Sequence, residues 1–358
     1  MLRPVLTLVV LAALVLTGCG GDEEQTTATT VVPEPAPAID LRYADVAGDY
    51  AAATQVLLEQ GREVVDRLLA GDIASVYEQS APEVKAEVSL EEVERGFAEG
   101  RAASPIGARV EERVIPVGAG RGAYFADYAV DGGRVRFRIG FEPAGLIPLA
   151  EPVRPLPPDP RANRPAQATL RLPFDGLWWA GVAPLPEIGN HHAVASDQRH
   201  AFDFLIWRNG STYRGQGLEN SDYWAWSQAV KAPGPGTVVA VQDGLADNRP
   251  GVETDTAQPA GNHVIVDLGN DEYAVLAHFQ KGSIRVARGD AVTPGQVLGL
   301  VGNSGNSSEP HIHLHVQDSP TFRPGGSTGI PVRFADYEAD GTAHAQGTPT
   351  SGQFVTPL

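Results

Sequence analysis

Apolar residues follow a helical spacing first and a strand spacing afterwards. Past about Asp40, Val56, Leu57, Val64, Val65, Leu68 and Leu69 recur at helical intervals until Gly71, which predicts one long helix. Ser89-Leu90-Glu91-Glu92 signals a second helix start, with Ser89 as cap and Glu92 reaching back, ahead of Val93 and Phe97. The period then drops to two. Val135, Phe137, Ile139 and Phe141 alternate with Arg or Gly, and GAYFADYAV precedes them across Asp131-Gly132-Gly133, so a hairpin with one wet face is predicted. Residues 40–145 thus predict a small α+β domain, helices first. It holds no clustered histidines and no nucleophile beside a base, so its default role is a spacer or a binding module, with a regulatory protein as one partner it could take.

Residues 146–167 are rich in proline, above all EPVRPLPPDPRANRP, and predict a stiff, extended linker. From 168 to 358 the pattern is short β runs separated by glycine: RLPFDGLWW, TVVAV, HVIVDLG, EYAVLAHF, QVLGLVG and HIHLHV. No amphipathic helix interrupts them. The fold class expected is multidomain, with an N-terminal α+β domain and a C-terminal domain of mostly antiparallel β structure.

Composition changes this picture mainly at the N-terminus. Residues 1–19, MLRPVLTLVVLAALVLTGC, carry one Arg and then an apolar run too short to span a bilayer, the pattern of a secretory signal. The ending Leu16-Thr17-Gly18-Cys19 resembles the lipobox of bacterial lipoproteins, which implies acylation of Cys19, export, and a lipid anchor on the outer face of the cytoplasmic membrane, facing the cell wall. Cys19 is also the only cysteine, so no internal disulfide competes for it. Residues 20–39 are polar and rich in Thr and Pro, and predict a disordered tether. A formal net charge of -17 argues against nucleic acid as a partner.

Candidate chemistry is confined to the C-terminal half, where eight of the nine histidines lie between His191 and His315. In EPHIHLHV, His311, His313 and His315 alternate, so a strand projects all three from one face. Asp203 alternates with apolar neighbours in RHAFDFLIW and can present a carboxylate from a strand. His191 and His192 lie shortly upstream of it, and His278 ends YAVLAHF. A zinc site built for catalysis needs three such ligands and one open position.

Residues of about 168 to 355 resemble the lysostaphin-type (LytM-type) zinc metallopeptidases, which cut peptide bonds in peptidoglycan. The resemblance rests on KAPGPGTVVAV, GNHVIVDLGNDEYAVLAHF and GDAVTPGQVLGLVGNSGNSSEPHIHLHV, in the family's order after a histidine and an aspartate. It implies a lysostaphin-like, duplicated hybrid motif β-barrel-sandwich and a Zn2+ ion. By position it implies Asp203 and His313 as zinc ligands, His311 as the histidine that orients or deprotonates the water, and His278 as the one that steadies the oxyanion. His315 is read as a supporting residue, His200 and His263 as structural, and His344 as a surface residue. The departure is at the first ligand. Four residues before Asp203 the chain has Arg199, and His200 is one residue off. A subgroup with Asn-x-His upstream of Gln-Arg-aromatic-Ala-x-Asp is matched by Asn190-His191-His192 and Gln198 to Asp203, which implies His192, with His191 as the alternative. The activity implied is hydrolysis of a cross-bridge or stem peptide bond in peptidoglycan. Two alternatives stay open: a catalytically silent wall-binding domain or activator of another hydrolase, and a zinc-carrying lipoprotein. The insert RNGSTYRGQGLENSDYWAWSQ after Asp203 suits either a wall of the substrate groove or a plug at the end of the barrel.

Overall fold

The computed structural model describes residues 32–153, 156, 158–161, 164–323 and 325–358. The signal-like run, Cys19 and residues 20–31 of the tether lie outside the described residues. Two compact units divide the chain. One comprises Leu57–Val114 and Arg121–Arg154, the other Val32–Val56, Ile115–Gly120 and Pro155–Leu358. No helix among the described residues is long and apolar enough to cross a membrane.

The first unit contains the C-terminal part of α1 (Tyr43–Ala70), then α2 (Ile73–Glu78), α3 (Pro82–Glu87) and α4 (Leu90–Ala103). Its sheet runs β1 (Arg109–Gly118, of which residues 109–114 belong to this unit), β2 (Arg121–Val130), β3 (Gly133–Glu142), β4 (Gly145–Pro152), in that order. The helix ends follow from local chemistry. Gly71 takes φ +90° just past α1, and Ser89 and Glu92 form the reciprocal capping box of α4. Leu57, Val64, Val65 and Leu68 of α1 bury themselves against Tyr124, Ala126, Phe137 and Ile139 of β2 and β3.

The second unit holds β5 (Thr169–Leu170), β6 (Trp178–Val182), β7 (Phe202–Leu205), β8 (Ala229–Lys231), β9 (Gly236–Gln242), β10 (Asn262–Asp267), β11 (Tyr273–Phe279), β12 (Ala291–Val292), β13 (Val297–Leu300), β14 (Ile312–Gln317), β15 (Arg333–Ala339), β16 (Thr342–Gly347) and β17 (Phe354–Pro357). The main sheet runs β12-β9-β10-β11-β14-β7-β6-β17-β15-β16, with β5 parallel to β15 and the pairs along the path antiparallel. β8 pairs with β13 separately. The expected class is therefore observed: helices and a sheet in the N-terminal part, mostly antiparallel β structure in the C-terminal part.

Three boundaries differ from expectation. Residues 146–152, expected to open the linker, belong to β4 on the edge of the first sheet, where Pro148 and Pro152 are tolerated because one side of an edge strand needs no N–H. Residues 40–56 belong with the second unit, because Val46 and Tyr50 pack with Leu177, Trp179, Leu205, Trp207 and Phe354. Residues 32–39, expected as tether, are tied to that same unit. Ala36 N–H donates to Ser227 O at 2.8 Å, Gln228 Nε2 donates to Pro37 O at 3.1 Å, and Ile39 packs on the core. A proline-rich segment leaves its carbonyls unpaired in its own backbone and so available to such donors.

Candidate metal centre

β14 lies between β11 and β7 in the sheet, and this sets the site. His313 stands directly opposite Asp203 on β7 and opposite Ala277 on β11. Facing residues on adjacent strands have Cβ atoms roughly 5 Å apart, so imidazole and carboxylate meet without distortion. Alternation then sorts the faces. Ile312, Leu314 and Val316 enter the core with Phe202, Phe204, Ala274 and Leu276, while His313, His315 and Asp203 turn the other way. His311 precedes the strand and joins this second face.

His278 reaches that face through a bulge. β10 and β11 slip register between the pairs Asn262 with Phe279 and Val264 with Leu276, so β11 carries one extra residue. Regular alternation would send His278 to the core with Leu276. With the extra residue, Phe279 enters the core and His278 turns to the site, at φ +65°.

The first histidine arrives on a single turn of 3-10 helix, His191–Val194. Asn190 fixes it: its Oδ1 accepts from the His192 N–H at 2.9 Å and its Nδ2 donates to Ala183 O at 3.1 Å. His192 Nε2 lies 2.9 Å from Asp203 Oδ2 with its side chain 10% exposed, whereas His191 Nε2 is 3.7 Å away and 66% exposed. Arg199 turns back to Ala193 O, and His200 bonds Asp159 at 2.9 Å, so neither joins the cluster.

Among the described residues, two groups of three metal-binding side chains have donor atoms within 4.8 Å of one another: His191, His192 and Asp203, and His278, His311 and His313. Asp203 joins them, since its Oδ1 is also 3.0 Å from His313 Nδ1 and 3.5 Å from His311 Nε2. Among the described residues, its ion-pair partners within 4.0 Å are all histidines. Burial pushes this carboxyl up, but His192 and His311 outweigh it and hold the group well below the usual carboxylate range. Burial keeps His313 neutral, down to about 4, against the pull of Asp203. Burial first, then His311 and His313, hold His278 well below the ordinary imidazole value, whereas for His311 burial, the largest effect, is outweighed by Asp203 and Glu309 together, which raise it.

The outer ring nitrogens distinguish these histidines. His278 Nδ1 lies 2.8 Å from Ser304 O and His311 Nδ1 lies 2.9 Å from Glu309 O. A carbonyl only accepts, so both Nδ1 atoms carry the proton and both Nε2 atoms are bare when the rings are neutral. His315, fully buried, bonds His313 and Gln317. The expected site residues His192, Asp203, His278, His311 and His313 are thus brought together, with His315 behind them. His263 stays apart, bonded to Gly261 O, and His344 stacks on Tyr337 with centroids 5.1 Å apart, half-buried instead of free on the surface. Sequence reasoning missed Ser304, Glu309 and Gln317. The alternation of His311, His313 and His315 continues to Gln317, and that signal was there to read.

The insert flanks the site. Thr212 Oγ1 donates to Glu309 Oε2 at 2.8 Å, and Asn303 Nδ2 donates to Asn220 Oδ1 at 3.0 Å. Trp224 packs partly on the core, with the Arg208 guanidinium 5.0 Å from its ring centre.

Residues 224–324 match Peptidase family M23. Over 61 residues, 17% of this chain, the sequence is 43% identical to Endolysin 2638A of Staphylococcus phage 2638A. Over 57 residues, 16% of the chain, it is 39% identical to the peptidoglycan DD-endopeptidase ShyA of Vibrio cholerae serotype O1. These stretches span only 12% and 13% of the two relatives. Among solved structures, the catalytic domain of lysostaphin from Staphylococcus simulans is 20% identical over 47% of this chain and 86% of its own, with a TM-score of 0.24. A zinc-containing peptidase from Vibrio cholerae is 14% identical over 58% of this chain and 57% of its own, with a TM-score of 0.24. The stretch that matches Peptidase family M23, residues 224–324, contains His278, His311 and His313, and His192 and Asp203 lie upstream of it.

Proposed function

We propose that the protein is a zinc-dependent endopeptidase that hydrolyses peptide bonds of bacterial cell-wall peptidoglycan, with His192, Asp203 and His313 as the zinc ligands. The observation that carries this reading is the buried Asp203 carboxylate, approached on opposite oxygens by His192 Nε2 and His313 Nδ1 at 2.9 and 3.0 Å. Two imidazoles and a carboxylate are a donor set suited to zinc, and a buried carboxylate with imidazoles on both oxygens favours a cation among them. His192 is chosen over His191 because its nitrogen is nearer and enclosed.

Bound there, zinc would polarise a peptide carbonyl and lower the pKa of a water to about 7. His311, its Nδ1–H tied to Glu309 O, offers a bare Nε2 that accepts the proton of the attacking water. That proton then passes to the nitrogen of the cleaved bond as the C–N bond breaks. His278, tied likewise to Ser304 O, also presents a lone pair at rest. It donates to an oxyanion only after it has taken a proton, so its resting role is to accept a hydrogen bond from the water. The N-terminal signal-like run and Cys19 support export and a lipid anchor, and the first unit, which lacks such a cluster among its described residues, is assigned to a spacer or partner-binding role.

The test is zinc content and the release of new amino groups from purified cell walls, measured on the full-length protein. About one zinc per chain and chelator-sensitive release is expected. Replacing His192 by Ala abolishes both, whereas replacing His191 leaves the zinc in place. Full zinc occupancy with no release from any wall type overturns the enzyme assignment, and no zinc at all favours a silent wall-binding domain.

A further inference from the structure

Resting on the reading of His313 as a ligand, we propose that Gln317 is a positioning residue. Through His315 it fixes the tautomer in which His313 keeps Nδ1 bare toward Asp203. Gln317 continues the site face of β14 and is fully buried. Its Nε2 donates to Ser319 O at 2.8 Å and to Thr321 O at 3.1 Å. Those carbonyls only accept, so that end of the amide is the NH2 and the other end is the oxygen, which also accepts from Ser327 Oγ at 2.9 Å.

The oxygen lies 3.1 Å from His315 Nε2, which must therefore carry a proton. A charged His315 would be a buried cation with no carboxylate within 4.0 Å among the described residues, so the ring is neutral and its Nδ1 has only a lone pair. That lone pair sits 2.8 Å from His313 Nε2, which must in turn be the donor. His313 Nδ1 is left bare, 3.0 Å from Asp203 Oδ1. Two lone pairs at that separation repel unless a cation lies between them. Three side chains on one strand face thus preset a nitrogen and an oxygen for a divalent ion before it arrives.

The experiment reads the tautomers directly. In full-length, zinc-free protein labelled with 15N-histidine, long-range proton–nitrogen correlation is expected to show Nε2–H on both His313 and His315. Gln317→Met removes the acceptor for His315 and should mix the tautomers and bind zinc about 10- to 100-fold more weakly than the parent. Ser327→Ala removes only the hydroxyl that donates to the same amide oxygen and should keep the tautomers and bind zinc within about threefold of the parent. An Nδ1–H form of His315 in the unaltered protein overturns the proposal, as does parent-like zinc binding by Gln317→Met. If Gln317→Met does not fold, the spectrum of the unaltered protein decides alone. If that protein takes up no zinc, the ligand reading fails, while the tautomers still decide the relay.

Discussion

At His278 the site meets its backbone cost. A side chain at φ +65° sits in the left-handed region, roughly 1 to 2 kcal/mol above the usual conformations, and the neighbours hold it there: His278 N–H donates to Ala260 O and its carbonyl accepts from Gly302. Both His278→Ala and His278→Gly should lower cleavage by about 10²- to 10⁴-fold, since either removes the ring. The glycine variant should nonetheless melt at or above the alanine variant, the reverse of their order in ordinary strand. A lower melting temperature for glycine contradicts the strain argument. Sequence alone identified His278 by its place in YAVLAHF but could not foresee why it faces the site, because a bulge depends on the partner strand. That His192, Asp203, His311 and His313 were candidates was legible because imidazole and carboxylate chemistry is written in residue type. Ser304 and Glu309 were not, because they act through backbone carbonyls, which every residue has.

A close contact and a polar cluster both join α1 to the sheet of the first unit. Glycine in the middle of a helix normally costs about 1 kcal/mol relative to alanine, so Gly61 in α1 invites replacement. A Cβ there would collide with the ring of Tyr124 on β2, so Gly61→Ala should lower the melting temperature; an increase would show that α1 and β2 are packed less closely. Glu112 on β1 ties the same helix by a two-pronged bond from Arg62 at 2.6 and 3.0 Å, and it accepts from Tyr124 Oη at 3.0 Å. The Arg62 guanidinium, aided by Tyr124 and Arg109 and opposed by burial, holds this carboxyl below the ordinary glutamate value. A depressed carboxylate stabilises the fold above its unfolded pKa and ceases to do so as pH falls through its folded pKa. The melting-temperature gap between the parent and Glu112→Gln should therefore be widest near neutrality and close below about pH 4. A gap independent of pH refutes the assignment. The capping box and the β2–β3 hairpin were legible because their determinants lie within a few residues. β4 was not, because its prolines read as linker until β3 supplies an edge that tolerates them.

For the molecule as a whole, the division into units does not follow the chain. Tyr50, on the N-terminal part of α1, sits among Trp179, Trp207 and Phe354 with ring centres 5.7, 5.3 and 5.1 Å away. The three partners are buried, and residues 32–56 belong to the same unit as they do. A fragment starting at Pro155, which the linker reading recommends, should expose this aromatic patch, bind a hydrophobic dye such as anilinonaphthalene sulfonate, and aggregate at lower temperature than the full chain. Tyr50→Ala in the full chain should cost about 2 to 4 kcal/mol by denaturant unfolding. A fragment as stable as the full chain would show that residues 32–56 are dispensable to the second unit. Domain order was legible from composition, but this exchange of segments was not, because it rests on contacts between residues more than a hundred positions apart.

The alternation on β14 has a consequence for assembly as well as for chemistry. A strand whose two faces were equally apolar could pair one residue out of step at little cost. Here a slip of one position against β7 and β11 would drive His313, His315 and Gln317 in among Phe202, Phe204 and Leu276 and turn Leu314 outward. Each polar group would lose its partner in an apolar setting, a penalty of roughly 1 to 3 kcal/mol apiece. The groups assigned to hold the ion thus also proofread the pairing of the central strands, so loss of the histidines should show first as misfolded chains during synthesis and only then as lost turnover.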